Sequence, residues 1–401
     1  MKEYSGFEYL CIDIANAKGM DKELFETRIQ WVLDNINNLE EETDIDEPAS
    51  YIKAVQTLRA AQRGEATGHL ISLDGVCSGV QILSALTGCI KGATATGLID
   101  PNVRSDAYSH ITKEMNRLLV KDGIASVVVS RADAKDATVK AVYGSKKDPE
   151  NLFGDIVEYY HQACLNVAQG AFELLPDVIS LWNPNGLDHS WTLADGFEVF
   201  IPVIETMTTR VAVDELGSTI TVEYEDNHAK DFSVSLAANI THSIDALVCR
   251  NMIRRCSYDE NQLRVIKYAL KKSTYEPMED RHLQYYVELA EVNQWVDPVI
   301  LDHLTLSNVC QLPKWYADKL DKLIDRMLKY PPFELLTVHD AFRCHANNGN
   351  AVRYHYKEIL AELAESEILS SIMSQLIGKK GKYPKLSNIA HLIRESNYAL
   401  S

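Results

Sequence analysis

The sequence predicts an α+β fold that is mostly helical, with a small antiparallel sheet and a separate β-hairpin. Three observations predict it. Long stretches carry apolar residues at helical spacing, as in MDKELFETRIQWVLDNINNLEEE, 20–42. One section, SWTLADGFEVFIPVIETMTTRVAVDELGSTITVEYEDN over 190–227, is instead rich in β-branched and aromatic residues. Two short apolar runs, ISL before Asp74 and FELLTV before His339-Asp340, each stop at an acid.

Taken in order, residues 20–65 read as helices, and PASYIKAVQTLRAAQRG stops at Gly64. A strand over 70–73 delivers Asp74. Residues 104–121 are helical again. SRADAKDATVKAVYG, 130–144, is a helix that Ser130 can cap and Gly144 can end. A long helix is expected over 152–175. TTRVAV and STITVEY flank DELG and read as a hairpin. Helix returns at 243–255. Residues 258–332 are helical and charged, broken at Pro313, Pro331 and Pro332. FELLTV and AFRCHA are β-like, and the basic loop GKKGKYPK precedes a tail helix.

With 401 residues and 46% hydrophobic content the chain can bury a large core, in two or three subdomains. Its net charge of −17 argues against a general nucleic-acid coat and leaves room for a locally basic channel. Eight cysteines without a CxxC pair read as reduced thiols. The nearest approach to a metal cluster is His339, Cys344 and His345. The chain shows neither a signal core nor an apolar run of membrane-spanning length, so a cytoplasmic location is expected, the host's if the protein is viral.

Asp74 opens the small-residue loop GVCSG, 75–79. Brought together, Asp74 and Asp340 could hold two Mg²⁺ ions about 3.5–4 Å apart, since magnesium favours one or two carboxylates plus substrate phosphates. Alone, either acid is more often a strand-end cap or turn residue. Arg131, Lys135, Val139 and Tyr143 follow one another at intervals of four along one helix face. Two cations and a terminal tyrosine suit a triphosphate; the other reading is a solvated basic stripe.

In combination, DGVCSGVQ (74–81), RADAKDATVKAVYGSK (131–146) and VHDAF (338–342) resemble motifs A, B and C of the single-subunit RNA polymerases of bacteriophages and mitochondria. AANITHSID (237–245), WTLADGFEV (191–199) and LSNIAHLIRESNYALS (386–401) resemble further family segments in family order. The resemblance implies a right-hand palm and fingers. Residues 1–95 would be N-terminal helices and the first palm segment, and 96–185 the fingers. The second palm segment with a specificity-hairpin-like region would be 186–257, a helical insert 258–332, and motif C with the C-terminal foot 333–401. It implies DNA-directed RNA synthesis with two Mg²⁺ ions on Asp74 and Asp340. Arg131 and Lys135 would neutralise the incoming rNTP, Lys135 would assist pyrophosphate departure, and His339 would line the RNA 3′ end. Related DNA polymerases carry a glutamate where this chain has Gly79, so Gly79 is expected to leave room for a ribose, with Tyr143 and His242 sensing the 2′-OH.

The hairpin region 205–225 would contact DNA in the family, but here it is acidic. Counterparts of the family's promoter-binding and thumb parts are not found. The chain is therefore most similar to the large, C-terminal subunit of the split two-subunit enzymes of N-four-type bacteriophages. That implies a smaller partner subunit, a single-stranded DNA template and a single-stranded-DNA-binding recruitment factor. The rival readings are a catalytically degenerate polymerase-like scaffold and a DNA polymerase or primase-like enzyme.

Overall fold

A computed structural model describes residues 1–124, 126–272 and 275–401, and for 226–227 the backbone alone. The helical run expected over 258–332 crosses 273–274, and the acidic stretch EYEDN ends on 226–227; those positions lie outside what is described. Among the described residues helices dominate, and seven strands form three antiparallel sheets. These strands are β1 (Ile71–Asp74), β2 (Asp188–Thr192), β3 (Glu198–Pro202), β4 (Ile204–Val213), β5 (Ser218–Ala229), β6 (Leu336–Val338) and β7 (Ala341–Cys344). The α+β expectation therefore holds.

The central sheet has the order β1-β7-β6. Leu73 pairs with Phe342 and Asp74 with Ala341, so the two apolar runs of the sequence lie side by side. Alternation fixes the faces: Ile71, Leu73, Phe342 and Cys344 are buried, whereas Asp74 and Arg343 are exposed. The buried face packs into the main core with the helices Ser78–Thr87, Ser235–Cys256 and Gly349–Glu365. A second apolar cluster runs from Leu263 to Met327 and a third from Ile111 to Cys164. The expected hairpin forms as β4 and β5, joined through Asp214–Leu216 and Gly217, whose φ of 55° suits a residue without Cβ.

Three boundaries differ from expectation. An additional helix, Gly6–Ala15, starts at Ser5, whose hydroxyl and Glu8 form a capping box. The helix expected over 152–175 is divided at Gly154 (φ 49°, ψ −124°) into Lys147–Phe153 and Val157–Ile179, with a 3₁₀ turn between. The helix expected at 243–255 begins earlier, at Ser235.

Packing around Gly349–Glu365 buries charge as well as apolar surface. Arg255, fully buried, donates to Glu362 Oε1 at 3.0 Å and Oε2 at 2.5 Å, and Arg326 adds a bond to Oε1 at 2.6 Å. His355, also buried, is pushed down to a pKa of about 3 by burial and by Arg255 and Lys329. A histidine with a depressed pKa binds fewer protons folded than unfolded, so it stabilises the fold above pH 6.5 and loses that contribution as pH falls toward 3. The upper bound is about 5 kcal/mol. His355→Gln should flatten the pH dependence of urea midpoints between pH 7 and 4. An unchanged slope would remove His355 as its source.

Candidate active site

Because Asp74 pairs with Ala341, Asp340 sits one residue beyond the ladder, in the two-residue turn joining β6 to β7. Such turns favour a positive φ at the first position, and His339 has φ 55°. Across the strands the Gly75 N–H donates to the Asp340 carbonyl at 3.2 Å. The two acids thus lie at one end of the sheet. The Asp74 carboxylate opens to solvent on one side and is walled by protein on the other. That enclosure raises its pKa, the charge of Asp340 adds to the rise, and a hydrogen bond from Ser72 Oγ at 3.2 Å opposes it.

A third acid joins them from the helix Ser235–Cys256. Asp245 is pushed up to about 6 by burial and then by Asp340, with His339 pulling the other way. The sequence reading quoted this segment for His242 and missed Asp245; the signal was the spacing, since residues three apart share a helix face. His242 itself is exposed, and its ring stacks on Tyr143 with centroids 4.3 Å apart and planes 6° from parallel. The protein packed around its stacked ring, then His339, lowers the His242 pKa although the residue remains largely open to solvent. Tyr143 is pushed up to about 12 by burial, with Asp245, Cys77 and Asp340 adding to the rise. Asp74, Asp340, Asp245, His339, His242 and Tyr143 therefore belong to one electrostatic neighbourhood.

Tyr143 is held there by the helix Arg131–Ala141. Its start is a capping box between Ser130 and Asp133, and the chain turns away at Gly144, φ 90°. At 1.5 Å per residue, Arg131 lies roughly 18 Å from Tyr143 along the axis. Lys135, between them, is exposed and carries no ion pair to any described residue. Arg131 is engaged: its Nε donates to Asp106 Oδ2 at 2.5 Å, and its guanidinium lies 5.6 Å from the Tyr108 ring centroid. Asp106 and Tyr108 were missed from sequence. Asp106 caps the helix Ala107–Lys121, but no spacing ties it to Arg131.

Gly79 departs from its expected role. It is buried, and a Cβ there would lie 2.5 Å from Val142 Cγ1. The space beside it is filled by protein. The glycine lets the helix Ser78–Thr87 approach the end of the helix Arg131–Ala141, next to Tyr143, and does not line open room for a sugar.

Among the described residues no three His, Cys, Asp or Glu side chains form a metal cage, and all eight cysteines are unpaired, with Cys344 buried in the core. His339, Cys344 and His345 thus form no cluster. Two neighbouring carboxylates of like charge, each raising the cost of ionising the other, are nonetheless a donor set that suits a divalent cation completed by substrate phosphates. The β4–β5 hairpin is exposed along its length, with Glu205, Asp214, Glu215, Glu223 and Glu225 against Arg210. No helix among the described residues is long and apolar enough to cross a membrane.

The N-terminal part of the chain is similar to known proteins. Residues 2–147 match the family described as DNA-dependent RNA polymerase. The chain is 27% identical over 163 residues to the mitochondrial DNA-directed RNA polymerase of Schizosaccharomyces pombe, covering 35% of this chain and 14% of that protein. It is 26% identical over 135 residues to the DNA-directed RNA polymerase of Pseudomonas phage phiKMV, covering 29% and 16%. It is 26% identical over 159 residues to T7 RNA polymerase of Escherichia phage T7, covering 35% and 18%. In each case the match spans less than a fifth of the relative's length.

Proposed function

We propose that this chain, whose residues 2–147 match the family described as DNA-dependent RNA polymerase, is a catalytic subunit that adds rNTPs to an RNA 3′-OH on a DNA template. One observation carries the reading. Asp74 and Asp340 meet at the end of the β1–β7 pair, beside the Tyr143–His242 stack. In this reading β1, β7 and β6 are the palm sheet and 96–185 the fingers. The segments 1–95, 186–257, 258–332 and 333–401 take the places expected of them above.

Asp74 and Asp340 would hold two Mg²⁺ ions. When bound, these supply a lower pKa for the attacking hydroxyl and charge stabilisation for the leaving pyrophosphate. The chain's own residues do the rest. Lys135 presents a free ammonium to the phosphates. Arg131 reaches them by exchanging the Asp106 carboxylate for a phosphate oxygen, to which a guanidinium bonds equally well. Asp245 keeps its charge off the site while protonated and adds to the negative field once ionised. His339 lies at the turn where the RNA 3′ end would sit. Tyr143 is held protonated and can donate toward the sugar edge, with the His242 ring fixing its plane. A site that hydrogen-bonds a hydroxyl rejects the analogue lacking it. Tyr143→Phe should therefore narrow the rNTP-over-dNTP preference, by about 10-fold or more in the ratio of kcat/KM values. An unchanged ratio would exclude Tyr143 as the sugar-sensing group.

The acidic hairpin gives no electrostatic support to duplex promoter reading, so single-stranded DNA is the expected template. A smaller partner subunit would supply the polymerase parts that the short matches do not span, and a single-stranded-DNA-binding factor would recruit the pair. The test is RNA synthesis on single-stranded DNA with Mg²⁺ and rNTPs, with the chain alone and with a candidate partner. Synthesis only with the partner supports the split enzyme. Synthesis alone makes the partner a processivity or recruitment factor. Folded chain without synthesis in either arm favours the scaffold reading, and preference for dNTPs favours the DNA polymerase reading.

A further inference from the structure

β1 has two edges. One is paired with β7. The other is covered by residues 399–401: the Ser401 N–H donates to the Asp74 carbonyl at 3.1 Å, the Asp74 N–H faces the Ser401 carbonyl at 3.5 Å, and Gly75 bridges Leu400. The backbone that carries the Asp74 carboxylate is thus gripped from both sides. The second grip is short, and nothing in a three-residue segment makes it persist by itself.

A buried amide holds that segment. Gln81, fully buried on the helix Ser78–Thr87, donates from Nε2 to the Ala399 carbonyl at 3.0 Å and to the Thr96 carbonyl at 3.1 Å. Its Oε1 accepts from the Tyr356 hydroxyl at 2.7 Å. Both amide protons and the carbonyl are used, in a setting where an unmade hydrogen bond is costly. Burial keeps Tyr356 protonated and hence a donor. The same hydroxyl lies 3.3 Å from where a Gly75 Cβ would stand, so it also abuts the loop immediately after Asp74.

We infer that Gln81 is a positioning residue for the Asp74 carboxylate, acting through the segment 399–401 that it clamps to the free edge of β1, with Tyr356 fixing the orientation of its amide. The inference rests on the polymerase reading for its catalytic half and on geometry alone for the clamp. Gln81 touches no reacting atom. Its effect is to keep the end of β1 in register with the turn that carries Asp340, so that the two carboxylates keep their separation.

The test uses the full chain, with its partner if synthesis requires one. Gln81→Leu keeps the bulk and removes all three hydrogen bonds. Tyr356→Phe removes a single hydroxyl and guards against a misfolded Gln81→Leu. Amide hydrogen exchange is followed at 73–75 and 398–401, together with kcat, KM for rNTP and the Mg²⁺ concentration for half-maximal synthesis. The expected result is exchange accelerated at both segments and not in the Arg131–Ala141 helix. With it kcat should fall by about 10–100-fold, as for a small misplacement of a reacting group, the Mg²⁺ midpoint should rise, and KM should be nearly unchanged. Tyr356→Phe should show the same pattern at smaller amplitude. Unchanged exchange at 398–401 in both variants overturns the clamp. Accelerated exchange with kcat and Mg²⁺ midpoint unchanged overturns the positioning role. A wild-type protein that makes no RNA overturns the polymerase reading and the catalytic half of the inference, while exchange still decides the clamp.

Discussion

Asp340→Asn is expected to abolish Mg²⁺-dependent RNA synthesis, and Asp74→Asn to do the same. Each substitution keeps the shape and removes the charge that a divalent cation requires. Loss of several kcal/mol of transition-state stabilisation corresponds to a fall of about 10³-fold or more. The fold should survive, because neither carboxylate carries core packing. The Asp340 charge opposes that of Asp74 and of Asp245, so either variant should melt at the wild-type temperature or slightly above it. A dead enzyme with an undiminished Tm is the signature of acids kept for chemistry at some cost to stability. Full activity in either variant would sink the two-metal assignment. A lost fold would mean that the acids are structural caps after all.

The largest stability effect is expected at Glu362. Its carboxylate accepts from Arg255 and Arg326 and ties the helix Ser235–Cys256, which carries His242 and Asp245, to Gly349–Glu365 and to Lys314–Met327. Glu362→Ala leaves the guanidinium of Arg255 buried without a counter-charge, which costs about 3–5 kcal/mol. Arg326→Ala, at a side chain 31% exposed, leaves the Arg255–Glu362 pair intact and should cost far less. Urea midpoints at neutral pH compare the two. Equal small losses would show that water reaches Arg255 and that the pair is not dry.

The parts of the site that were legible in sequence are those whose geometry is local. A strand that stops at an acid, a capped helix with residues four apart, and two β-like runs that meet at His339-Asp340 each follow from backbone rules that act over a few residues. The hairpin around DELG was legible for the same reason. What was missed depends on distant chain segments. Gln81 meets Ala399 across 318 positions, and Arg131 meets Asp106 across 25. Gly79 was expected to leave open space because related DNA polymerases carry a glutamate there, yet Val142, just past the helix Arg131–Ala141, fills that space. Asp245 shares a helix face with His242, a spacing that is legible, but its approach to Asp340 comes from tertiary packing and is not. The early start of the helix at Ser235 was missed because Ser235, Thr241 and Ser243 dilute the apolar pattern over its first turns.

Asp74 and Asp340 are proposed above as the catalytic centre of template-directed RNA synthesis. The most direct measurement is incorporation of labelled rNTPs on a primed single-stranded DNA template, with wild type and Asp340→Asn side by side, with and without Mg²⁺. Wild type should show Mg²⁺-dependent extension that follows the template sequence, and Asp340→Asn none. Extension that survives in Asp340→Asn, or that ignores the template, would contradict it.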